Sequence, residues 1–345
     1  MRRFFSSPAG LMLWLAPVLA QLLTGAKPPG EFLWPPAFFL AVIVYGCGAL
    51  LCHDFACRAQ AAAEDKPFWP LLMRYAVGYG LFVEGVMLGN VTSTDWPRLG
   101  SLADPQHGHL LAYNPTWTLL ALTTFAVLGV AVPVMMVELL RPEAVGKEWL
   151  SRTGMRWARF LFDATVVIGV LSSGRHWMVP DWLVLLLAWW LVRGARNWRP
   201  RAVVGRRPWR EASPRRVGWG AAGLALLMAA WPVWAPGVTP FSFFRPFVVM
   251  VFTAWLTWFA AVRTARRVAA GWSPRHSLAF VTGFLAVHAL LAPGQDADAY
   301  FTEHPGGMGL VGLLALIGLW RLHVKVRRRA APPPESDPIG TGAPL

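Results

Sequence analysis

The sequence predicts an all-α fold: a polytopic transmembrane helical bundle with both termini on the cytoplasmic side. Three observations predict it. Hydrophobic residues make up 55% of the chain and charged residues only 14%, where a soluble domain carries about 25% charged residues. Apolar runs long enough to cross a bilayer recur along the whole length, about ten in all. Basic residues fall in every second connection between those runs.

The first run, 8–25, follows Met1-Arg2-Arg3 and has no small-x-small cleavage site, so it is expected to be retained as a helix. The second, 34–53, opens on Pro35-Pro36, where a missing N–H does no harm. The third is 68–90. The fourth, 116–140, contains Pro133 and is expected to kink there. The fifth, 159–173, is the shortest and ends at Ser172-Ser173-Gly174; with the sixth, 178–194, it can form a tight helical hairpin or a re-entrant pair. The seventh is 216–235, and the eighth, 246–264, begins at Pro246. The ninth is 275–292 and the tenth 307–324. From 330 to 345, with Pro332-Pro333-Pro334 and Gly340, the composition predicts a disordered cytoplasmic tail. The longest connections, 91–115 and 195–215, are too short to build a soluble core, so 1–329 is a single transmembrane domain.

Charge placement sets the orientation independently of hydropathy. With the N-terminus inside, the inner segments hold Arg2, Arg3, Arg58, Lys66, a cluster from Arg141 to Arg159, the Arg-rich stretch Arg193–Arg216, and the groups Arg263–Arg275 and Arg321–Arg329. Of the 32 Lys and Arg, only Lys27, Arg98, Arg175 and Arg245 fall outside, and Arg74 lies within the third run. This positive-inside bias accounts for the net charge of +14. The partner it implies is the lipid bilayer of a bacterial inner membrane, with a membrane-protein partner left open and nucleic acid excluded. The 20 Trp suit the two membrane interfaces, where an apolar ring needs a polar partner for its N–H. Cys47, Cys52 and Cys57 step five residues apart along one run. They suit neither a disulfide framework nor a metal face, and are expected to pack.

No Walker A, HExxH, GxSxG, CxxC or paired-Asp prenyltransferase motif is present, and no cofactor is indicated. Ionisable residues within the runs are the remaining candidates, because charge in hydrocarbon is costly. Glu84 lies in the third run and His288 in the ninth. At about 1.5 Å per residue both sit roughly 8–9 Å below the outer boundary, so neighbouring helices would let them meet. The plainer alternative is that each is a structural polar group satisfied elsewhere. A carboxylate at that depth finds a partner or takes up a proton; Tyr45, Tyr79, His288 and Arg74 are the candidates. Gly78, Gly80, Gly85 and Gly89 flank Glu84 and allow close helix approach or room for a substrate. His53, Asp54 and Asp163 are expected at the interface. In the outer connections His107, His109, Asp296, Asp298 and His304 are weak metal-ligand candidates; a solvated acidic face explains them equally well.

The stretches Ala16–Gly25, Tyr45–Leu51, Tyr79–Gly85 and Val132–Pro142 resemble a family of uncharacterised bacterial multi-pass membrane proteins, over roughly residues 10–155. That family tends to have an acid where this chain has Gln21, an Arg-Glu pair at His53-Asp54, and a double acid at Val83-Glu84. The resemblance implies membrane class and no particular activity. A looser similarity runs to the CAAX-protease and bacteriocin-processing intramembrane proteases, in which only Glu84 and His288 match in kind. Three functions follow as expectations. The first is a transporter-like protein with Glu84, Pro133 and the glycines lining a path. The second is a partner-binding membrane subunit. The alternative is an intramembrane hydrolase in which Glu84 activates water and His288 assists.

Overall fold

The computed structural model describes residues 6–62, 68–89, 91, 118, 122, 124–172, 179–197, 213–234, 255, 272–295 and 306–330. Among them the structure is helical, with no strand. Helix α1 (Pro8–Pro17) begins at Ser7, whose hydroxyl accepts the Gly10 N–H at 3.0 Å, with Pro8 at the first helical position. It runs on as a π-helical segment, Val18–Leu22, and ends at Gly25, whose φ of 71° is cheap only for glycine. A short helix α2 (Pro29–Phe32) precedes α3 (Pro35–Ala41), a π-helical segment Val42–Cys47 and α4 (Gly48–Ala61), which form one continuous rod. Helix α5 (Phe68–Leu81) is extended by a third π-helical segment, Phe82–Met87, and ends at Gly89 with φ 72°.

A fourth π-helical segment, Phe125–Ala131, leads into α6 (Val132–Leu140). The predicted break at Pro133 is met here by a change of helix type. A proline lacks the N–H for the i−4 bond and its ring crowds that carbonyl, and the wider π turn lies immediately before it. Then follow α7 (Arg152–Ser172), α8 (Val179–Asn197), α9 (Pro214–Trp234), α10 (Pro274–Gln295) and α11 (Met308–Ala330).

Among the described residues three helices are long and apolar enough to cross a membrane: Pro35–Ala61, Pro274–Gly294 and Met308–Arg329. Pro8–Leu22 and Phe125–Leu140 are shorter apolar helices. Helix α7 has the length for a span but carries Arg152, Arg156, Arg159 and Asp163, which make it less apolar. The predicted eighth span, 246–264, and the tail from 331 lie outside the described residues, residue 255 excepted.

The helices pack as two groups joined by α6. In the first, α1, the α3–α4 rod, α5, α7 and α8 surround a core that includes Met12, Leu50, Leu71, Leu72 and Val83. In the second, α10 and α11 pack on α6, and α9 packs on α10, around Phe284, Val281 and Leu128. The Phe125–Leu140 helix serves both: Phe125, Val130, Val134 and Val137 face the first core, and Leu128, Val132, Met135 and Leu139 the second. The outer surface is strongly apolar. Ile168 and Leu171 on α7, Leu183 and Leu186 on α8, and Leu310 and Trp320 on α11 are all exposed, the pattern expected of helices that face hydrocarbon.

Candidate functional site

Four side chains from three helices meet inside the first group: Gln21, Tyr45, Tyr79 and Glu84. Gln21, Tyr45 and Glu84 lie on π-helical segments, and Phe125, which walls the cluster, begins the fourth. The Gln21 amide donates to the Tyr45 hydroxyl. The Tyr45 ring stacks on Phe125, centroids 5.1 Å apart and planes 21° from parallel. The Tyr79 hydroxyl donates to the Val44 carbonyl at 2.8 Å, and its ring packs edge-on to Phe125 at 5.6 Å. The Glu84 carboxylate is 5% exposed and within electrostatic reach of both phenols.

The π turns help to make this possible. An α-helix turns 100° per residue, so residues five apart diverge; i→i+5 bonding brings positions 79 and 84 closer to one face. Glycines do the rest. A Cβ at Gly48 would overlap the Tyr79 ring, and one at Gly80 would press on the Phe125 Cβ at 3.0 Å. The aromatic rings therefore lie against bare backbone. On the far side, Gly85 admits the Val184 side chain, and α8 closes over Glu84.

Chemically, the cluster combines one carboxylate and two hydroxyls, able to hold or pass a proton, with an amide that orients one of the hydroxyls, and it is not a metal-ligand set. No group of three or more His, Cys, Asp or Glu capable of holding a metal is found among the described residues. The metal-ligand candidates His107, His109, Asp296, Asp298 and His304 all lie outside the described residues.

His288 is placed apart from Glu84. It lies on α10, which packs on α9, α11 and α6, whereas the Glu84 segment packs on α5, α7 and α8. Its Nδ1–H donates to the Phe284 carbonyl one turn back at 3.1 Å, and its ring stacks on Phe284 at 5.0 Å. Arg74 is also spoken for. Its Nε donates to the Leu191 carbonyl at 3.0 Å, and the guanidinium lies 4.8 Å from the Trp190 ring centroid.

His53 and Asp54, expected at the membrane interface, are both fully buried within the protein. Asp54 accepts the Trp149 N–H at 3.0 Å and the Leu150 N–H at 2.9 Å, one on each oxygen, and His53 Nδ1 lies 2.9 Å from its Oδ1. The His53 ring stacks on Trp149 at 3.6 Å. The Cys57 thiol lies 3.8 Å from His53 Nε2 and donates to the Lys147 carbonyl at 3.7 Å. Beyond them Arg58 makes a two-pronged contact with Glu148, at 2.8 and 3.0 Å. The reason for the burial is the connection 141–151, which folds back over the end of α4 and needs an acceptor for its two N–H groups. Asp163, by contrast, is exposed and paired with Arg159 at 3.3 Å.

Sequence reasoning reached Glu84, Tyr45 and Tyr79 through depth and polarity. It had no physical argument for Gln21, whose signals were a lone amide near the end of an apolar run and the acid that the resembled family tends to have there. No protein-family model, curated protein or solved structure matches the chain.

Proposed function

We propose that this chain is a multi-pass protein of a bacterial inner membrane, with about ten spans and both termini cytoplasmic, and that it works as a transporter-like carrier with Glu84 as its proton-binding centre. The observation that carries the carrier reading is the buried Glu84 carboxylate among Tyr45, Tyr79 and Gln21. A carboxylate held away from water among hydroxyls exists in two states, charged and protonated, and the helices around it pack differently for each. The proton needs no cavity, which suits a cluster this closely packed. The spans that carry Gln21, Tyr45, Glu84 and Phe125 each contain a π-helical segment at that residue, a form of helix concentrated at functional sites.

The role of each residue follows. Glu84 holds the proton. Tyr45, whose hydroxyl accepts from Gln21 and keeps its own proton to donate, steadies the charged form and hands the proton on, while Tyr79, whose hydroxyl donates to the Val44 carbonyl, holds the two spans together. Gly48, Gly80 and Gly85 let the helices shift against one another. A partner-binding role is compatible with the same fold. The alternative hydrolase pairing Glu84 with His288 draws no support from the packing, which assigns their segments different neighbours.

The test is reconstitution. Proteoliposomes containing the wild-type chain are screened for solute uptake driven by a pH gradient, beside Glu84→Gln and Tyr45→Phe. The gradient-driven component is expected to vanish in Glu84→Gln and to fall in Tyr45→Phe while both proteins remain monodisperse. Uptake unaffected by Glu84→Gln would sink the proposal.

A further inference from the structure

We propose that the cleft between the start of α1 and the connection 141–149 binds the headgroup of a zwitterionic phospholipid of the phosphoethanolamine type. This rests on the membrane placement proposed above. The cleft is open to the surface and has a volume of about 400 Å³, a size that admits a lipid headgroup. It opens where α1 begins, at Pro8, and where α6 ends, at Leu140. Both helices are apolar, so this is the edge of the hydrocarbon, the level at which lipid phosphates lie.

The lining decides the ligand. Arg141 and Lys147 supply two positive charges, Glu143 and Glu148 two negative ones. Glu148 is held by Arg58, and Glu143 lies 3.7 Å from Arg141 and is largely exposed. Lys147 makes no ion pair among the described residues. With Glu148 held by Arg58, a simple anion entering here would meet the Glu143 carboxylate, and a simple cation the Arg141 and Lys147 bases. A molecule carrying a phosphate and an ammonium a few ångströms apart satisfies both signs at once: phosphate against Lys147 and Arg141, ammonium against Glu143. A primary ammonium donates hydrogen bonds to a carboxylate, which a quaternary one cannot. The start of α1 contributes shape more than charge, because Ser7 already caps it.

The wall is also built in advance. Asp54 fixes the Trp149 and Leu150 N–H groups, the Trp149 indole donates to the Ala144 carbonyl at 3.1 Å, and His53 backs the indole face. A rigid wall spares the ligand the cost of ordering it.

The full-length protein, purified in detergent, is titrated with short-chain phosphatidylethanolamine, phosphatidylcholine and phosphatidylglycerol, and with inorganic phosphate as competitor. Bound lipid is counted by native mass spectrometry. Phosphatidylethanolamine is expected to be retained best and phosphate not to displace it. Lys147→Gln and Glu143→Gln should each weaken retention about tenfold, the effect of one charged hydrogen bond. Arg327→Gln, on the basic end of α11, should leave it unchanged. Equal retention of phosphatidylcholine, preference for phosphatidylglycerol, competition by phosphate, or indifference to both substitutions overturns the proposal. Both substituted residues are exposed, so folding should persist. If either variant melts early, the wild-type thermal shift decides: stabilisation by the ethanolamine lipid and not the choline lipid supports the site, and equal stabilisation overturns it. Extraction with alkaline carbonate separates the two proposals. A chain released from the membrane pellet removes the membrane placement itself, whereas a chain retained there without lipid discrimination removes only this site.

Discussion

Asp54 and Glu84 are both buried carboxylates, and their neighbours give them different work. Asp54 accepts two backbone N–H groups, so its charge is matched by fixed donors and it acts as an anchor for the connection 141–151. Asp54→Ala would orphan the Trp149 and Leu150 N–H groups. It is expected to cost about 3 kcal/mol, with Asp54→Asn costing less because one acceptor survives. Thermal melting in detergent checks this, and an unchanged melting temperature for Asp54→Ala would show that the anchor is dispensable. Arg58→Ala breaks an ion pair whose side chains are 39% and 43% exposed; less than about 1 kcal/mol should be lost. Glu84 instead sits beside hydroxyls that can give and take a proton. Glu84→Gln keeps its shape and hydrogen-bonding capacity, so the fold should survive while pH-driven uptake is lost. Glu84→Ala should in addition lower the melting temperature, because its buried polar neighbours lose a partner.

At the scale of the element, the glycines and the π-helical segments set how closely helices meet. Gly48→Ala puts a methyl group into the space of the Tyr79 ring. Overpacking of this kind costs about 1–3 kcal/mol, and the ring must shift from its packed position beside Phe125. A matched Gly220→Ala, at a position with open space around it, should be neutral or slightly stabilising, since alanine suits a helix better by up to about 1 kcal/mol. Equal melting temperatures for the two variants would remove the close-approach argument. Arginines from other helices also hold backbone carbonyls, one within a helix and one at a helix end. Arg74 donates to the Leu191 carbonyl, and Arg329 to the Leu139 and Leu140 carbonyls at 3.3 and 3.4 Å. The second of these caps α6 at its negative end, so Arg329→Ala should cost roughly 0.3–1 kcal/mol, measured in the same melt.

For the whole molecule, the testable quantity is topology. Reporter fusions that fluoresce only in the cytoplasm should light at residues 64, 146, 205, 270 and 335. Fusions that need export should work at 28, 105, 175, 240 and 300. Two adjacent fusions reporting the same side would show that a predicted span does not cross; the pair around α7 and α8 is the informative one, because α7 carries charged residues along its first half.

Much of this was legible in the residues, for physical reasons that can be named. The helical class needs only the long apolar runs, because lipid offers backbone groups no hydrogen bonds and a helix satisfies its own. The start of α3 at Pro35-Pro36 and the irregularity just before Pro133 are local chemistry. The depth of Glu84 follows from counting along a helix. What the tertiary structure alone decided is who meets whom. Gln21 reaches Tyr45 only when α1 lies against the α3–α4 rod, and His53-Asp54 is buried only because a connection some 95 residues later folds back over it. Glu84 and His288 stand at one depth in the sequence, yet their segments pack against different helices, since depth along an axis says nothing about rotation or neighbours. Nor do the π-helical segments have a sequence period to betray them. One extra residue per turn is a compromise struck between packed helices, and it exists only once they are packed.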